Sequence, residues 1–215
     1  PASIQGEGTE ATPAYWDHQT KDADKVLLQA KEIQNLNKKI RQVNETVVDL
    51  AAYPLRVQGA VVRQEMAASV PAKDTYYTAG KLVPEEDYTA KCQQVTSLQL
   101  AGELPVRYAV TVGRTNLRLL PQAEGWFESP EDVHYDDLQG TALDPAEPLA
   151  VLADSADDSF VFVQARSYRG WVAKADIAFT ERAKWLQYVE PKKFLVVTGN
   201  RYELQVDTQR QLFQL

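Results

Sequence analysis

The sequence contains little cysteine, since Cys92 is the only one among 215 residues. A single cysteine excludes an internal disulfide and any zinc site built from several cysteines. Cys92 lies in PEEDYTAKCQQVTSLQL, where Pro84 can begin a helix and the two glutamates that follow favour its positive end. On that helix Tyr88, Cys92 and Val95 share one face, which predicts a packed rather than a reactive thiol.

Long apolar runs and an excess of positive charge are also missing. No stretch approaches the roughly 18 to 20 apolar residues that cross a bilayer, so no membrane span is predicted. The chain has 30 acidic and 23 basic residues, which gives a formal net charge of −7. This charge opposes binding to phosphate backbones and to anionic lipid, so we expect no nucleic-acid partner.

The first half of the chain predicts an arm followed by helices. Residues 1–22 are polar and rich in small side chains, which predicts an extended or disordered arm. Residues 23–104 form a mainly helical region that ends its first helix before Pro54 and begins another after Pro84. The first helix is predicted from an apolar stripe at spacings near three and four: Val26, Ile33, Leu36, Ile40, Val43 and Val47. This region has an apolar face to bury, and we expect it to pack on the following domain.

Residues 105–200 change to the pattern of a small β-barrel. Residues 106–112 alternate apolar and polar side chains, which predicts a strand, and a short helix is expected within TERAKWLQYV. Further short strands are predicted in EPLAVLADS, FVFVQAR, RGWVAKADI and KFLVVTGNRYELQV. The predicted fold class is α+β, with the helical region packed on the barrel. Residues 201–215 are expected to begin a following strand or a second domain.

An acidic segment interrupts an otherwise even distribution of charge. Residues 121–160 contain eleven Asp or Glu and no Lys or Arg. One interpretation is a pair of solvated loops, and the other is an acidic wall that receives a cation or an amine. Within it, DSADDSF lacks the spaced ligands of a calcium loop and predicts a polar hairpin turn, although Ser155 and Asp157 are candidates for lining a polar cleft. His134 is expected at the surface among acidic neighbours, and no metal or cofactor is predicted.

The order of these segments resembles part of a known family. The segment DDLQGTALDPAEPLAVLADSADDSFVFVQARSYRGWVAKADIAF, with LRLLP before it, is similar to the first bacterial SH3 domain of NlpC-type peptidoglycan cysteine peptidases. The preceding DKVLLQAKEIQNLNKKIR and VDLAAYP resemble the helical N-terminal clip of these enzymes. The resemblance covers most of residues 22–200, and it implies a clip packed on an SH3-like barrel.

The same resemblance implies where a ligand binds. In such enzymes the first SH3-like domain borders the peptidase cleft and helps to select stem peptides with a free N-terminal L-alanine, whose ammonium needs a carboxylate and an aromatic partner. The matching positions are Asp137, preferred over Asp136, and Tyr168 in SYRGWV. Gly170 would allow a close approach of the backbone, and Trp171 is expected to face the core.

No catalytic residue matches the family pattern in this chain. Cys92 lies in the clip-like region, and the only histidines are His18 and His134, so the nucleophile and base of the peptidase have no matching positions. The resemblance implies a non-catalytic segment of an exported γ-D-glutamyl-diamino-acid endopeptidase that selects and scaffolds substrate. Its expected partners are a stem peptide with a free amine and either an NlpC-type catalytic domain or a second SH3-like domain.

Two other functions remain open at the level of sequence. The first is a stand-alone SH3-type module that binds peptidoglycan or a protein, and the second is a binder of proline-rich peptides. The second needs an aromatic-lined groove, but TYYTAG lies in the clip-like half. The chain begins with Pro1 rather than methionine, which fits both a processed exported protein in the periplasm or envelope and an expression product.

Overall fold

The computed structural model describes residues 13–19, 21–22, 25–194, 201–206 and 209–214. The chain forms two compact units, Pro1–Val43 and Asn44–Leu215. The first unit contains helix α1 (Pro13–Gln19) and helix α2 (Ala30–Val43). Helix α1 lies where an extended arm was predicted, while residues 1–12 of that arm are outside the described residues.

Helix α2 is shorter than the sequence pattern predicted, because it begins at Ala30 rather than near Asp24. Its apolar stripe is present, with Ile33 and Leu36 each 45% exposed and Ile40 38% exposed. Helix α2 is described in full, and within it the structure buries no residue. Within its own unit, α2 is therefore an amphipathic helix whose apolar stripe is not buried.

The second unit begins with two helices and two short ribbons. Leu50–Ala52 forms a single 3-10 turn, which Asp49 caps through a hydrogen bond from the Ala51 N–H to its Oδ1. The elements that follow are β1 (Arg56–Gln58), α3 (Gly59–Ser69), β2 (Tyr77–Thr78), β3 (Lys81–Leu82), α4 (Glu85–Thr96) and β4 (Glu103–Pro105). Strand β1 pairs with β4, and β2 pairs with β3. Helix α4 follows Pro84 as predicted, whereas α3 was not predicted.

Seven antiparallel strands form the main sheet of the second unit. They are β5 (Arg107–Thr111), β6 (Thr115–Arg118), β7 (Gln139–Leu143), β8 (Pro148–Asp154), β9 (Phe160–Gln164), β10 (Arg169–Ala173) and β11 (Ile177–Thr180). Their order is β11-β5-β8-β9-β10-β6-β7. The α+β fold class is confirmed, but β7 and β11 stand at opposite edges in the described structure, so the sheet is open where a barrel was predicted.

The helices of the second unit and its main sheet share one core. Leu50, Met66 and Val95 from the helical region are buried in the same cluster as Phe162 and Trp171 of the sheet. Helix α5 (Arg182–Val189) adds Trp185, which is fully buried, to this cluster. A second cluster includes Leu117, Val151, Val161, Val163 and Val172, so the central strands are buried on both faces. Residues 44–104 of the predicted helical region pack on the sheet, and Trp171 lies in the core, both as predicted.

The last described residues form a separate hairpin. Strand β12 (Arg201–Val206) pairs with β13 (Gln209–Gln214). The sequence predicted one strand over KFLVVTGNRYELQV, and its end is observed as β12. Residues 195–200 of that predicted strand lie outside the described residues.

Candidate ligand-binding surface

The register of the sheet decides which predicted site residues lie together. Trp171 of β10 is opposite Arg118 of β6, and Arg118 is opposite Gln139 of β7. The start of β10, the end of β6 and the start of β7 therefore lie at one end of the sheet. Tyr168 directly precedes β10 and Asp137 precedes β7, so these two candidates share that end.

Asp136 fixes the chain just before β7. Its Oδ2 accepts a hydrogen bond from Arg118 Nη1 at 2.8 Å, and the side chain of Arg118 is only 4% exposed. Its Oδ1 accepts from the N–H groups of Trp126 at 3.1 Å and Leu138 at 3.0 Å. Asp136 is therefore occupied by protein donors, which leaves its neighbour Asp137 as the carboxylate available to a ligand.

Asp137 is half-buried, and its Oδ2 is shielded from solvent without a hydrogen-bond partner among the described residues. Its N–H donates to the Trp126 carbonyl at 2.8 Å, which fixes the main chain. Burial raises the pKa of Asp137 above its usual value, and the negative charges of Glu128, Asp136 and, more weakly, other acidic neighbours raise it further. A desolvated carboxylate without a cation is the group that gains most from binding an ammonium.

Tyr168 presents an exposed ring beside the start of β7. Its side chain is 45% exposed. A Cβ built on Gly140 would lie 3.5 Å from Tyr168 Cε1, so the ring lies over a residue three positions after Asp137. Gly170, which the sequence suggested for close approach to a ligand, instead allows β10 to approach β6: an added Cβ would lie 2.6 Å from the Arg118 carbonyl oxygen.

Ser155 and Asp157 lie in the turn between β8 and β9, at the opposite end of β9 from the loop that carries Tyr168. The turn is next to the end of β10. The five residues of β9, at about 3.3 Å each, separate the turn from the Tyr168 loop. Asp157 accepts from the hydroxyls of Ser155 at 2.6 Å and Ser159 at 2.7 Å. These bonds hold the pKa of Asp157 at about 2. The structure thus gives this pair the role of the polar hairpin turn and does not bring it to Asp137.

A buried polar cluster behind Tyr168 was not anticipated from sequence. Gln164 is fully buried at the end of β9, and its Oε1 accepts from Arg169 Nε at 2.7 Å. Arg169 Nη1 also forms an ion pair with Glu65 of α3 at 2.7 Å. The one signal in the sequence was a glutamine at the end of the apolar run FVFV, where a buried polar residue requires partners.

An aromatic stack joins the helical region to the site end of the sheet. The ring of Tyr76 lies 5.2 Å from that of Trp126, and Tyr88 of α4 lies 5.9 Å from the same tryptophan, measured between centroids. Trp126 is the residue whose backbone holds Asp137 and whose N–H binds Asp136. The three rings therefore pack together and hold Trp126, which in turn fixes the residues Asp136 and Asp137. Trp126 is buried, so the stack does not form an open groove.

The remaining candidates stand apart from this surface. Cys92 is half-buried, and burial raises the pKa of its thiol, although a hydrogen bond with Tyr88 lowers it. His134 is exposed, and its N–H donates to Asp132 at 2.8 Å. Among the described residues no three His, Cys, Asp or Glu side chains are placed to hold a metal ion. In the same part of the chain, each helix is too short or too polar to cross a membrane.

Comparisons with known proteins agree with this architecture. A protein family described as SH3 domain (SH3b1 type) matches residues 126–173, which include Asp137 and Tyr168. A solved structure of an NlpC/P60 endopeptidase from Photobacterium damselae subsp. piscicida superposes with a TM-score of 0.62 at 13% sequence identity. The match covers 92% of this chain and 48% of that one, so this chain spans about half the length of that protein. A search of curated proteins found no significant match.

These comparisons agree on an SH3-like segment within the chain. Residues 126–173 match an SH3-type domain, and the helices of residues 44–104 share a core with that segment. The fold is that of one half of a larger NlpC/P60 endopeptidase structure.

Proposed function

We propose that the chain is a non-catalytic segment of a cell-wall γ-D-glutamyl-diamino-acid endopeptidase, in which it selects substrate and acts as a scaffold. The observation that carries the proposal is Asp137, a half-buried carboxylate at the end of the sheet that also presents Tyr168; its Oδ2 has no hydrogen-bond partner within the described part of the chain. The SH3-type match over both residues and the fold shared with an NlpC/P60 endopeptidase support it.

The chemistry of this surface suits an ammonium group. The charges of Glu128 and Asp132 act on Asp137, and no lysine or arginine occurs between residues 121 and 160 to compete for it. An N-terminal amine would donate to Asp137 with charge assistance, while Tyr168 offers a hydroxyl and a ring face. The ligand proposed is therefore a peptidoglycan stem peptide that begins with a free L-alanine.

Hydrolysis is assigned to a different part of the parent protein. The raised pKa of the Cys92 thiol disfavours the thiolate that a cysteine peptidase needs. A cysteine nucleophile with its histidine base would come from an NlpC-type domain that borders the Asp137 surface. A parent protein with this function would act outside the cytoplasm, in the periplasm or cell envelope, where peptidoglycan is found.

The apolar stripe of α2, which its own unit does not bury, supports a second partner within the same protein. Ile33, Leu36 and Ile40 form an apolar face that costs free energy in water and gains when it is covered. A catalytic domain or a second SH3-like domain would cover it, as the clip-like arrangement implies. The hairpin of β12 and β13 is the expected start of such a second domain, because an isolated two-stranded hairpin is only marginally stable.

The proposal is tested with the tripeptide L-alanyl-γ-D-glutamyl-L-lysine and its N-acetylated form, titrated into the 215-residue chain by NMR. The free-amine peptide is expected to bind weakly, and acetylation or Asp137→Asn should lower affinity about tenfold or more because each removes a charge-assisted bond. Tyr168→Phe should lower it about two- to tenfold.

Asp157→Asn is the matched control, since it also removes one carboxylate charge, but in the turn at the opposite end of β9 from the Tyr168 loop. Its affinity should equal that of the wild type. Equal binding of the free and acetylated peptides would contradict amine recognition, and would favour the alternative of an SH3-type module that binds glycan or protein through another surface.

A further inference from the structure

The loop that carries Tyr168 is fixed by one buried side chain. Gln164 Nε2 lies within hydrogen-bond distance of three backbone carbonyl oxygens and shares its two N–H donors among them: Ala165 at 2.7 Å, Thr46 at 2.9 Å and Tyr168 at 3.2 Å. The loop also closes on itself, because the Ala165 N–H donates to the Tyr168 carbonyl at 2.8 Å. The side-chain amide of Gln164 thus links both ends of the loop, Ala165 and Tyr168, to Thr46 in the segment before the Leu50–Ala52 turn.

Arg169 extends this network to the helical region. Its Nε donates to Gln164 Oε1 at 2.7 Å, and its Nη2 donates to the Glu45 carbonyl at 3.2 Å. Its Nη1 pairs with Glu65 of α3 at 2.7 Å, with side-chain exposures of 17% and 21%. The pair lies in a groove of about 390 Å³ between α3 and the sheet, in which Arg169 already has a protein partner at each nitrogen. This arrangement suits a brace rather than a ligand site.

A second set of bonds reaches the same loop from the same segment. Thr46 Oγ1 donates to the Ser167 carbonyl at 3.1 Å, and the Val48 N–H donates to the Arg166 carbonyl at 2.9 Å. The main chain of the loop is therefore held by these bonds, while Tyr168 as a residue remains 45% exposed. A fixed backbone with a free side chain is the arrangement that preorganises a binding group.

We infer that Gln164 and Arg169 are positioning residues that fix Tyr168 for ligand binding, an inference that rests on the function proposed above. Glu65 anchors Arg169, so the helical region sets the geometry of the binding surface through this network. The clip-like region therefore contributes to ligand binding, by positioning Tyr168, as well as to the packing of the core.

The test is a double-mutant cycle on affinity for L-alanyl-γ-D-glutamyl-L-lysine. Arg169→Gln should lower affinity about five- to tenfold in the wild-type background and should have almost no effect in the Tyr168→Ala background, because it acts through that ring. Arg56→Gln, which removes the exposed Arg56–Glu103 pair elsewhere in the same unit, is the control and should leave affinity unchanged.

Hydrogen exchange at the Ala165 N–H gives a readout that needs no ligand. The Arg169→Gln variant should exchange this proton at least several-fold faster than the wild type, since the loop loses its brace. If Arg169→Gln destabilises the whole chain, Glu65→Gln serves as the second variant, because it keeps the volume of the side chain and removes its charge.

The outcomes separate this inference from the proposed function. Equal losses of affinity in the wild-type and Tyr168→Ala backgrounds, or unchanged exchange at Ala165, would overturn the positioning role. Wild-type protein that binds the free and acetylated peptides equally would overturn the proposed function, while the exchange measurement would still decide whether the network fixes the loop.

Discussion

Gly170 offers the sharpest test of the packing beneath the proposed binding surface. A Cβ at this position would lie 2.4 Å from Leu117 Cδ2 and 2.6 Å from the Arg118 carbonyl oxygen. The leucine side chain can rotate away, but the carbonyl belongs to β6 and cannot move without disturbing its pairing with β10. Gly170→Ala should therefore separate the two strands that connect Tyr168 to β7.

The expected cost follows from overpacking. Forcing one carbon into a packed interior costs typically about 1–3 kcal/mol, and a contact with backbone favours the upper end of that range. Replacing a strand glycine returns roughly 0.5–1 kcal/mol of backbone entropy. A net loss of about 2 kcal/mol corresponds to a fall in melting temperature of roughly 4–8 °C for a chain of this size.

Gly140→Ala is the matched control, because its added Cβ would meet Leu117 Cδ2 at 3.4 Å and nothing closer. Thermal denaturation followed by circular dichroism compares the two variants with the wild type. Gly140→Ala should melt within about 2 °C of the wild type. Equal stability of the two variants would refute the reasoning, since it would mean that β6 and β10 adjust without cost.

Three further predictions concern carboxylates. Asp136→Ala should cost about 3–5 kcal/mol in urea denaturation because it leaves the buried Arg118 unpaired, and a loss below about 1 kcal/mol would contradict this. The pKa of Asp157 is lowered to about 2, so the ionised carboxylate stabilises the fold above the unfolded pKa of 3.8, and this stabilisation is lost as the pH falls towards 2. The difference in melting temperature between the wild type and Asp157→Asn should therefore disappear between pH 4 and pH 2. A difference that stays constant over this range would contradict the prediction. Because the pKa of Asp137 is raised, affinity for the free-amine peptide should begin to fall, as the pH is lowered, at a pH above the usual range for aspartate. As the pH is raised above about 8, affinity should fall again because the amine loses its proton. An affinity that does not vary with pH in an NMR titration would show that neither group takes part in binding.

Local signals in the sequence predicted much of the fold. Period-two alternation over residues 106–112 marked β5, and Pro84 with its acidic successors marked α4. Helix α3 was missed because its buried residues, such as Val62 and Met66, are set among small side chains that give no apolar stripe. The barrel was overstated because strand count carries no information on whether the edge strands meet.

The candidate site was predictable only in part. The resemblance to a family supplied Asp137 and Tyr168, which the register of β10, β6 and β7 places at one end. Asp157 was predicted to lie with them because it belongs to the same acidic segment of the sequence. The structure instead has Asp157 in the turn at the opposite end of β9. Gln164 could not be assigned a role, since its partner Thr46 is 118 positions away in the chain.

The central claim is that Asp137 receives the amine of a peptide, and the most direct measurement is the structure of the chain with L-alanyl-γ-D-glutamyl-L-lysine bound. The account predicts the ammonium nitrogen within hydrogen-bond distance of the half-buried Asp137 carboxylate, with Tyr168 beside it. A peptide bound with its amine directed to solvent, or at the turn of Asp157, would contradict it.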